Sequence, residues 1–373
     1  MASSILTSLP SAAVLIGVDT HKDQHVAVAL DRHGAVLGHL QIPATSKGYQ
    51  TLLEWAVGHG ALQPADLLVA LEGSGSYGAG LCRHLLAAGC SVREVSRPNR
   101  QLRRQHGKDD WIDAEMAARS LLAGTATAEP KASDGQVEML RLLKSTKDSA
   151  VHARTKAINQ LKALLVTVPA ALREQLQNLR NKELLQRCAQ LRPGAITTPL
   201  DAARLAAARL ALRSLARRIQ QLSAEIEALV LQLDAITNEL APQLKAAKGI
   251  GTDNASALLI AAGDNPQRLR SEAAFASLCG VAPMPASSGK THRHRLNRGG
   301  NRQANSALYR IALIRLRWDE ATRAYAERRT AEGKSKLEII RCLKRFIARQ
   351  VYRLLVPTNG QASTCIDGQT QPC

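Results

Sequence analysis

Val14-Leu15-Ile16-Gly17-Val18-Asp19, followed by Thr20-His21-Lys22, is the stretch whose reading decides the fold. It is a run of apolar, partly β-branched residues that ends on a carboxylate, the pattern of a buried strand holding one Asp rigidly at its tip. A second run, Leu67-Leu68-Val69-Ala70-Leu71, ends on Glu72. A third segment carries Asp110 and Asp113, whose i, i+3 spacing puts both on one helical face. These four carboxylates are expected to meet in space, with the rest of the chain bringing nucleic acid to them.

The residues between these runs support that arrangement. Residues 24–30 and 35–42 read as two further strands, joined by the turn Asp31-Arg32-His33-Gly34, where Gly supplies the positive φ. Thr45 and Ser46 offer an N-cap for a helix through Leu52, Leu53 and Val57. A helix through Leu81, Leu85 and Leu86 stops at Gly89, and residues 91–95 form a fifth strand. The order β-β-β-α-β-α-β, with acids ending the first and fourth strands, is that of a ribonuclease H-like fold. Arg97, Arg100, Arg103, Arg104 and Lys108 then form a basic loop, read either as a solvated charge run or as a phosphate clamp beside the acids. A helix N-terminus stabilises negative charge, so one acid of the third segment could be a cap, and Asp109 is a further candidate there.

Four carboxylates drawn together repel one another, which is a reason to expect metal. Phosphodiester cleavage is an in-line displacement, and two divalent ions about 4 Å apart can stabilise both the attacking and the leaving oxygen. Hard ions such as Mg²⁺ take oxygen ligands. Four acids from three elements, here Asp19, Glu72, Asp110 and Asp113, can bridge and flank two such ions, with Asp109 still a candidate in the third segment.

Composition agrees with a nucleic-acid partner. The 373 residues are enough for two or three domains. The formal net charge is +19 and the pI about 10.1, an excess that favours a polyanion because each neutralised phosphate releases counterions. Aromatic residues are only 3%, which argues against stacking platforms and for duplex-backbone recognition. The seven cysteines form no C-x-x-C, and an odd count suits free thiols in a reducing cytoplasm. No apolar run approaches the roughly 20 residues that span a bilayer, so no membrane partner is expected. No basic n-region opens the chain, and no signal peptide is expected either.

Beyond a linker at 125–135 the pattern turns helical and basic. Residues 137–176 carry apolar positions at helical spacing, and Pro193-Gly194 and Pro199 interrupt it. Leu212, Leu215, Ile219, Leu222, Ile226, Leu229, Leu233, Ile236 and Leu240 then alternate spacings of 3 and 4, a coiled-coil seam. Its partner is either the 137–176 region of the same chain or, the reading preferred here, a second copy in a dimer or tetramer. Lys248-Gly249-Ile250-Gly251 opens a small-residue helix and resembles a helix-hairpin-helix turn, whose backbone N–H groups can hold a DNA phosphate. Ser287 and Ser288 sit in a Gly-containing loop among Lys290, Arg293, Arg295, Arg298 and Arg302. Guanidinium groups hold phosphate oxygens bidentately, so the loop could support a Ser nucleophile or simply bind DNA. The chain is therefore expected to be α/β followed by all-α. The divisions are flexible tails at 1–13 and 357–373, an acidic α/β domain at 14–130, a helical coiled-coil region at 131–244, and a mainly helical C-terminal domain at 245–356.

Three motifs carry a family resemblance: G-V-D-T-H-K at the start, L-E-G-S-G-S-Y-G around Glu72 and G-K-D-D-W-I-D-A-E around Asp110. They resemble the DEDD-type insertion-sequence transposases. G-I-G, C-G-V-A-P, S-S-G-K and R-L-N-R-G-G-N-R, in that order, resemble the second domain of the same family. The resemblance implies a RuvC-like first domain whose acids, matching Asp19, Glu72, Asp110 and Asp113, bind Mg²⁺. It places the family's serine on Ser288, which would form a phosphoserine link to DNA with the metal-bound acids activating it. It also implies oligomers working with a structured RNA from their own element, which pairs with donor and target DNA. Asp109 stands where other members often have Ser or Thr, and Ser287 stands beside Ser288, so both assignments stay open at this level. The competing readings are a RuvC-like junction endonuclease that uses water, and a non-catalytic basic DNA-binding protein.

Overall fold

The computed structural model describes residues 14–61, 63–95, 109–196, 199–289 and 294–356. The basic residues Arg97, Arg100, Arg103, Arg104, Lys108, Lys290 and Arg293, and both terminal tails, lie outside the described residues. The chain divides into two units: 1–138 with 262–271, and 139–261 with 272–373.

The first unit is a mixed α/β layer. Its strands are β1 (Val14–Thr20), β2 (Gln24–Leu30), β3 (Val36–Pro43), β4 (Leu67–Glu72) and β5 (Ser91–Val95), in sheet order β3-β2-β1-β4-β5. The first three pair antiparallel, and β1–β4 and β4–β5 pair parallel. β1 is buried at all of its seven positions, which is why it is apolar on both faces, whereas β3 lies at the edge and is mostly open. The hairpin turn forms because Asp31 Oδ1 accepts from the N–H groups of His33 and Ala35, with Gly34 at φ +89°.

Side-chain alternation sends two sets of residues to opposite faces of the sheet. Val14, Ile16, Val18, Val69 and Leu71 pack with α1 (Ser46–Gly58) and α2 (Ala79–Ala87) through Leu52, Ala56, Leu81 and Leu85. Leu15, Val28, Leu30, Leu68 and Ala70 pack with α3 (Asp110–Leu122) through Ala114, Ala117, Ala118 and Leu121. Thr45 caps α1 by accepting from Gly48 N–H at 3.2 Å.

The segment read from sequence as a linker is instead held along its length. Glu94 N–H donates to Ala128 O at 2.7 Å. Asn265 donates to Pro130 O and accepts from Ala132 N–H, Arg268 donates to Glu129 O, and Asp264 accepts from Val137 N–H. Pro130 and Ala132 have backbone groups that satisfy an Asn side chain more than a hundred residues away, information that no local pattern carries.

The second unit is helical: α4 (Gln136–Thr167), α5 (Ala170–Leu176), α6 (Asn181–Gln190), α7 (Leu200–Leu240), α8 (Pro242–Ala246), α9 (Thr252–Ala262), α10 (Glu272–Leu278), α11 (Arg302–Trp318), α12 (Glu320–Ala331) and α13 (Lys336–Leu355). A two-stranded ribbon pairs β6 (Met284–Pro285) with β7 (His294–Arg295). Leu212, Ala216 and Ile219 of α7 are buried in one cluster with Ala157, Leu161 and Leu165 of α4 and Leu184 and Cys188 of α6. Arg154 on α4 also donates to Ser223 on α7 at 3.5 Å. The first seam positions, Leu212, Leu215 and Ile219, are thus covered within the same chain, the alternative to a second copy there. Among the described residues, no helix is long and apolar enough to cross a membrane, and Cys82, Cys90, Cys188, Cys279 and Cys342 are free thiols.

Candidate functional site: an acidic centre and a basic C-terminal segment

The acidic centre is assembled by register. β1 and β4 pair in parallel with Val18 opposite Leu71, so the next residues, Asp19 and Glu72, stand side by side where the two strands end. Asp19 shares its face with Leu15 and Gly17, and Glu72 shares its face with Leu68 and Ala70, the side covered by α3. Thr20 Oγ1 donates to Glu72 O at 2.8 Å and ties the two strand ends together.

α3 brings the remaining acids. Its first turn holds Asp110 and Asp113, and Asp113 is buried. The helix can come this close because residue 17 is Gly: a Cβ there would lie 2.0 Å from Ala114 O and 2.3 Å from Ala118 N. Asp109 has a different position. It is the N-cap residue, in extended backbone, and its side chain accepts from Trp111 N–H at 3.1 Å.

Asp19, His21 and Asp110 form a compact donor group whose ligand atoms all lie within 4.8 Å of one another. His21 Nε2 is 3.3 Å from Asp19 Oδ2 and 3.2 Å from Asp110 Oδ2. These are ion-pair separations, but the ring nitrogen is aligned with neither oxygen and makes no hydrogen bond, although it is buried. Burial pushes the Asp19 carboxyl above the usual range. His21 opposes this, and Asp113 and Asp110 add to it by repulsion. The group thus combines clustered negative charge, a desolvated carboxylate and an unsatisfied imidazole nitrogen, which is a donor set suited to a divalent cation. His21 had no role in the sequence reading. The only signal for it was its place two residues after the strand-end Asp.

In the second unit, Ser287 and Ser288 are exposed after β6, and Gly289 takes φ +55°. Arg295 lies on β7, and Arg298 and Arg302 are exposed beyond it. The turn through Lys248, Gly249 and Gly251 packs on α11: a Cβ at Gly249 would meet Ile314, Arg315 and Ile311 at 3.4 to 3.5 Å. Arg315 donates to Lys248 O at 2.8 Å, and the Lys248 ammonium pairs with Asp319 at 2.8 Å while its side chain stays 67% exposed. Lys248 thus has a structural partner that its sequence context did not reveal.

Two family models match the chain. One, described as a transposase of the DEDD IS110 type, covers residues 16–169. The other, described as transposase of the IS116/IS110/IS902 family, covers 241–327. The chain is also similar to a Streptomyces coelicolor (strain ATCC BAA-471 / A3(2) / M145) protein named as an insertion element IS110 uncharacterized 43.6 kDa protein, at 33% identity over 135 residues. That match spans 35% of this chain and 33%, about a third, of the relative's length.

Proposed function

Because the chain belongs to the DEDD-type IS116/IS110/IS902 transposase family, we propose that it cleaves and rejoins DNA to move an insertion sequence. The observation that carries this reading is the meeting of Asp19 and Asp110 at His21, with Glu72 on the neighbouring strand end and Asp113 close enough to raise the Asp19 pKa. The strand order, with acids where β1 and β4 end, supports a ribonuclease H-like, RuvC-type domain.

Asp19, Glu72, Asp110 and Asp113 would hold Mg²⁺, and the unsatisfied His21 nitrogen fits beside them. When bound, such ions stabilise charge on the attacking and leaving oxygens of the phosphodiester. The protein's own part is to hold the carboxylates rigidly: Asp19 and Glu72 on a buried parallel strand pair, Asp110 and Asp113 on a helix pressed against Gly17.

Ser288 is the proposed nucleophile. Attack by its Oγ on phosphorus forms one phosphoester as the P–O bond of the DNA strand breaks, and the departing sugar oxygen leaves as a hydroxyl. The number of phosphoesters is conserved, so the strand can be rejoined without an external energy source. Arg295, Arg298 and Arg302 supply positive charge near that serine in sequence, and Lys248, Gly249 and Gly251 extend the basic DNA-facing set. An element-encoded RNA pairing with donor and target DNA, a homo-oligomer and a cytoplasmic setting complete the proposal. Low aromatic content suits a protein that reads duplex shape and leaves sequence to base pairing.

The test is a strand-cleavage assay with Mg²⁺, the DNA flanking the element and its transcribed RNA, comparing wild type, Ser288→Ala and Asp19→Asn. A DNA–protein adduct on a denaturing gel in wild type alone supports the serine chemistry. Cleavage without an adduct that persists in Ser288→Ala would move the assignment to a water-using junction endonuclease. An Asp19→Asn variant that loses nothing would leave only a DNA-binding protein.

A further inference from the structure

The helical unit contains a cleft of about 430 Å³ whose wall includes Asn297, Arg298, Arg302, Ser306, Tyr309 and Lys344. Three cations face it, and no carboxylate belongs to the described residues that line it. The cleft is built from close backbone contact: a Cβ at Gly300 would lie 2.2 Å from Gly280 N, and Gly280 takes φ +67°. Lys344 is the interior cation. It comes from α13 and donates to Asn305 Oδ1 at 2.7 Å, while Asn305 Nδ2 donates to Cys279 O and Gly280 O at 2.9 and 3.0 Å. An ammonium has three donors, and this bond uses one. Burial, and then the nearby Arg341, push the Lys344 pKa down, so positive charge is held there against a cost that a bound anion would offset.

We propose that this cleft takes one phosphate of a nucleic-acid strand, gripped by Lys344 and Arg298, with the exposed Tyr309 ring as a surface for the attached nucleotide. The proposal rests on the nucleic-acid reading above, and it adds two residues outside the basic loop motif: Tyr309, further along the helix that Arg302 opens, and Lys344, from α13. A cleft of this size suits a small polar ligand, and a point-charge ammonium beside a guanidinium suits phosphate.

The test uses the full-length protein and measures the Kd for duplex DNA and for single-stranded RNA across a salt series, with wild type, Lys344→Gln, Arg298→Gln and Lys182→Gln. Lys182→Gln makes the same charge change at an exposed position on α6. Lys344→Gln and Arg298→Gln are each expected to weaken at least one of the two nucleic acids by about fivefold to tenfold and to lower its salt slope by about 0.7 to 0.9. Lys182→Gln should change Kd by less than about twofold. The nucleic acid that responds identifies the strand. Arg298 is exposed, so its variant stays informative even if Lys344→Gln disturbs the fold. Wild-type affinity in both variants, with wild type binding nucleic acid normally, would overturn the cleft assignment and leave the wider reading intact. Wild type that binds neither DNA nor RNA would overturn both.

Discussion

Gly17 on β1 faces the main chain of Ala114 on α3 so closely that a single methyl group at 17 would lie 2.0 Å from the Ala114 carbonyl oxygen. The contact is backbone to backbone, with no side chain able to move aside. Gly17→Ala should therefore displace α3 and cost about 1–3 kcal/mol, the range for overpacking a tight core. Because the same helix carries Asp110 and Asp113, divalent-cation binding should fall along with stability. Paired urea melts and calorimetric cation titrations would test this; a stable variant with wild-type cation affinity would contradict it.

Asp109 and Asp110 are adjacent, yet the structure gives them different surroundings. Asp109→Ala should lose an N-cap, costing about 1 kcal/mol, and keep its cation affinity. Asp110→Ala should leave the cap in place and lose most of the cation-induced rise in melting temperature. At a cation concentration of 100 times Kd that rise corresponds to about 2.7 kcal/mol in wild type. Thermal melts with and without Mg²⁺ separate the two roles.

In the helical unit, Asp253 joins three helices. It accepts from Lys144 and Lys147 of α4 and pairs with Arg310 of α11. Burial alone would raise its pKa, but the two lysine ammonium groups outweigh that and hold it at about 2, below the ordinary 3.8. A depressed carboxylate binds its proton less tightly when folded. Its stabilising contribution is thus present above about pH 3.8 and fades as pH falls toward 2. Asp253→Asn should cost about 1–3 kcal/mol at neutral pH, because Lys144 loses a charged acceptor while nearly buried. The gap from wild type should close in acid. Urea denaturation at pH 7 and pH 3 would show whether it does.

Ile219 on α7 is 1% exposed within the cluster shared with α4 and α6. Ile219→Ala should cost about 2–5 kcal/mol by leaving a cavity. Because the covering residues belong to the same chain, the loss in Ile219→Ala should be the same at every protein concentration, whether or not the protein self-associates elsewhere. A midpoint that rises with concentration in wild type and not in Ile219→Ala would return this part of the seam to an intermolecular role.

Local pattern and chemistry in the sequence are enough to place β2, β4 and β5 at Gln24–Leu30, Leu67–Glu72 and Ser91–Val95, to put a helix start beside Asp110, and to cap α1 with Thr45. Each of these depends on neighbours within a few residues: apolar runs, a positive-φ glycine, a hydroxyl before a helix. What tertiary structure alone decided depends on residues far apart. His21 joins Asp19 and Asp110 because α3 is seated on Gly17, and nothing local to His21 announces that. The α7 heptads state which face is apolar, not what covers it, and around Leu212 and Ile219 α4 and α6 provide the cover. Residues 262–271 leave the helical half to bind the segment around Pro130, through Asn and Asp side chains whose partners lie over a hundred residues away. Periodicity in a sequence reports the need for burial or pairing, and only the folded chain supplies the group that meets it.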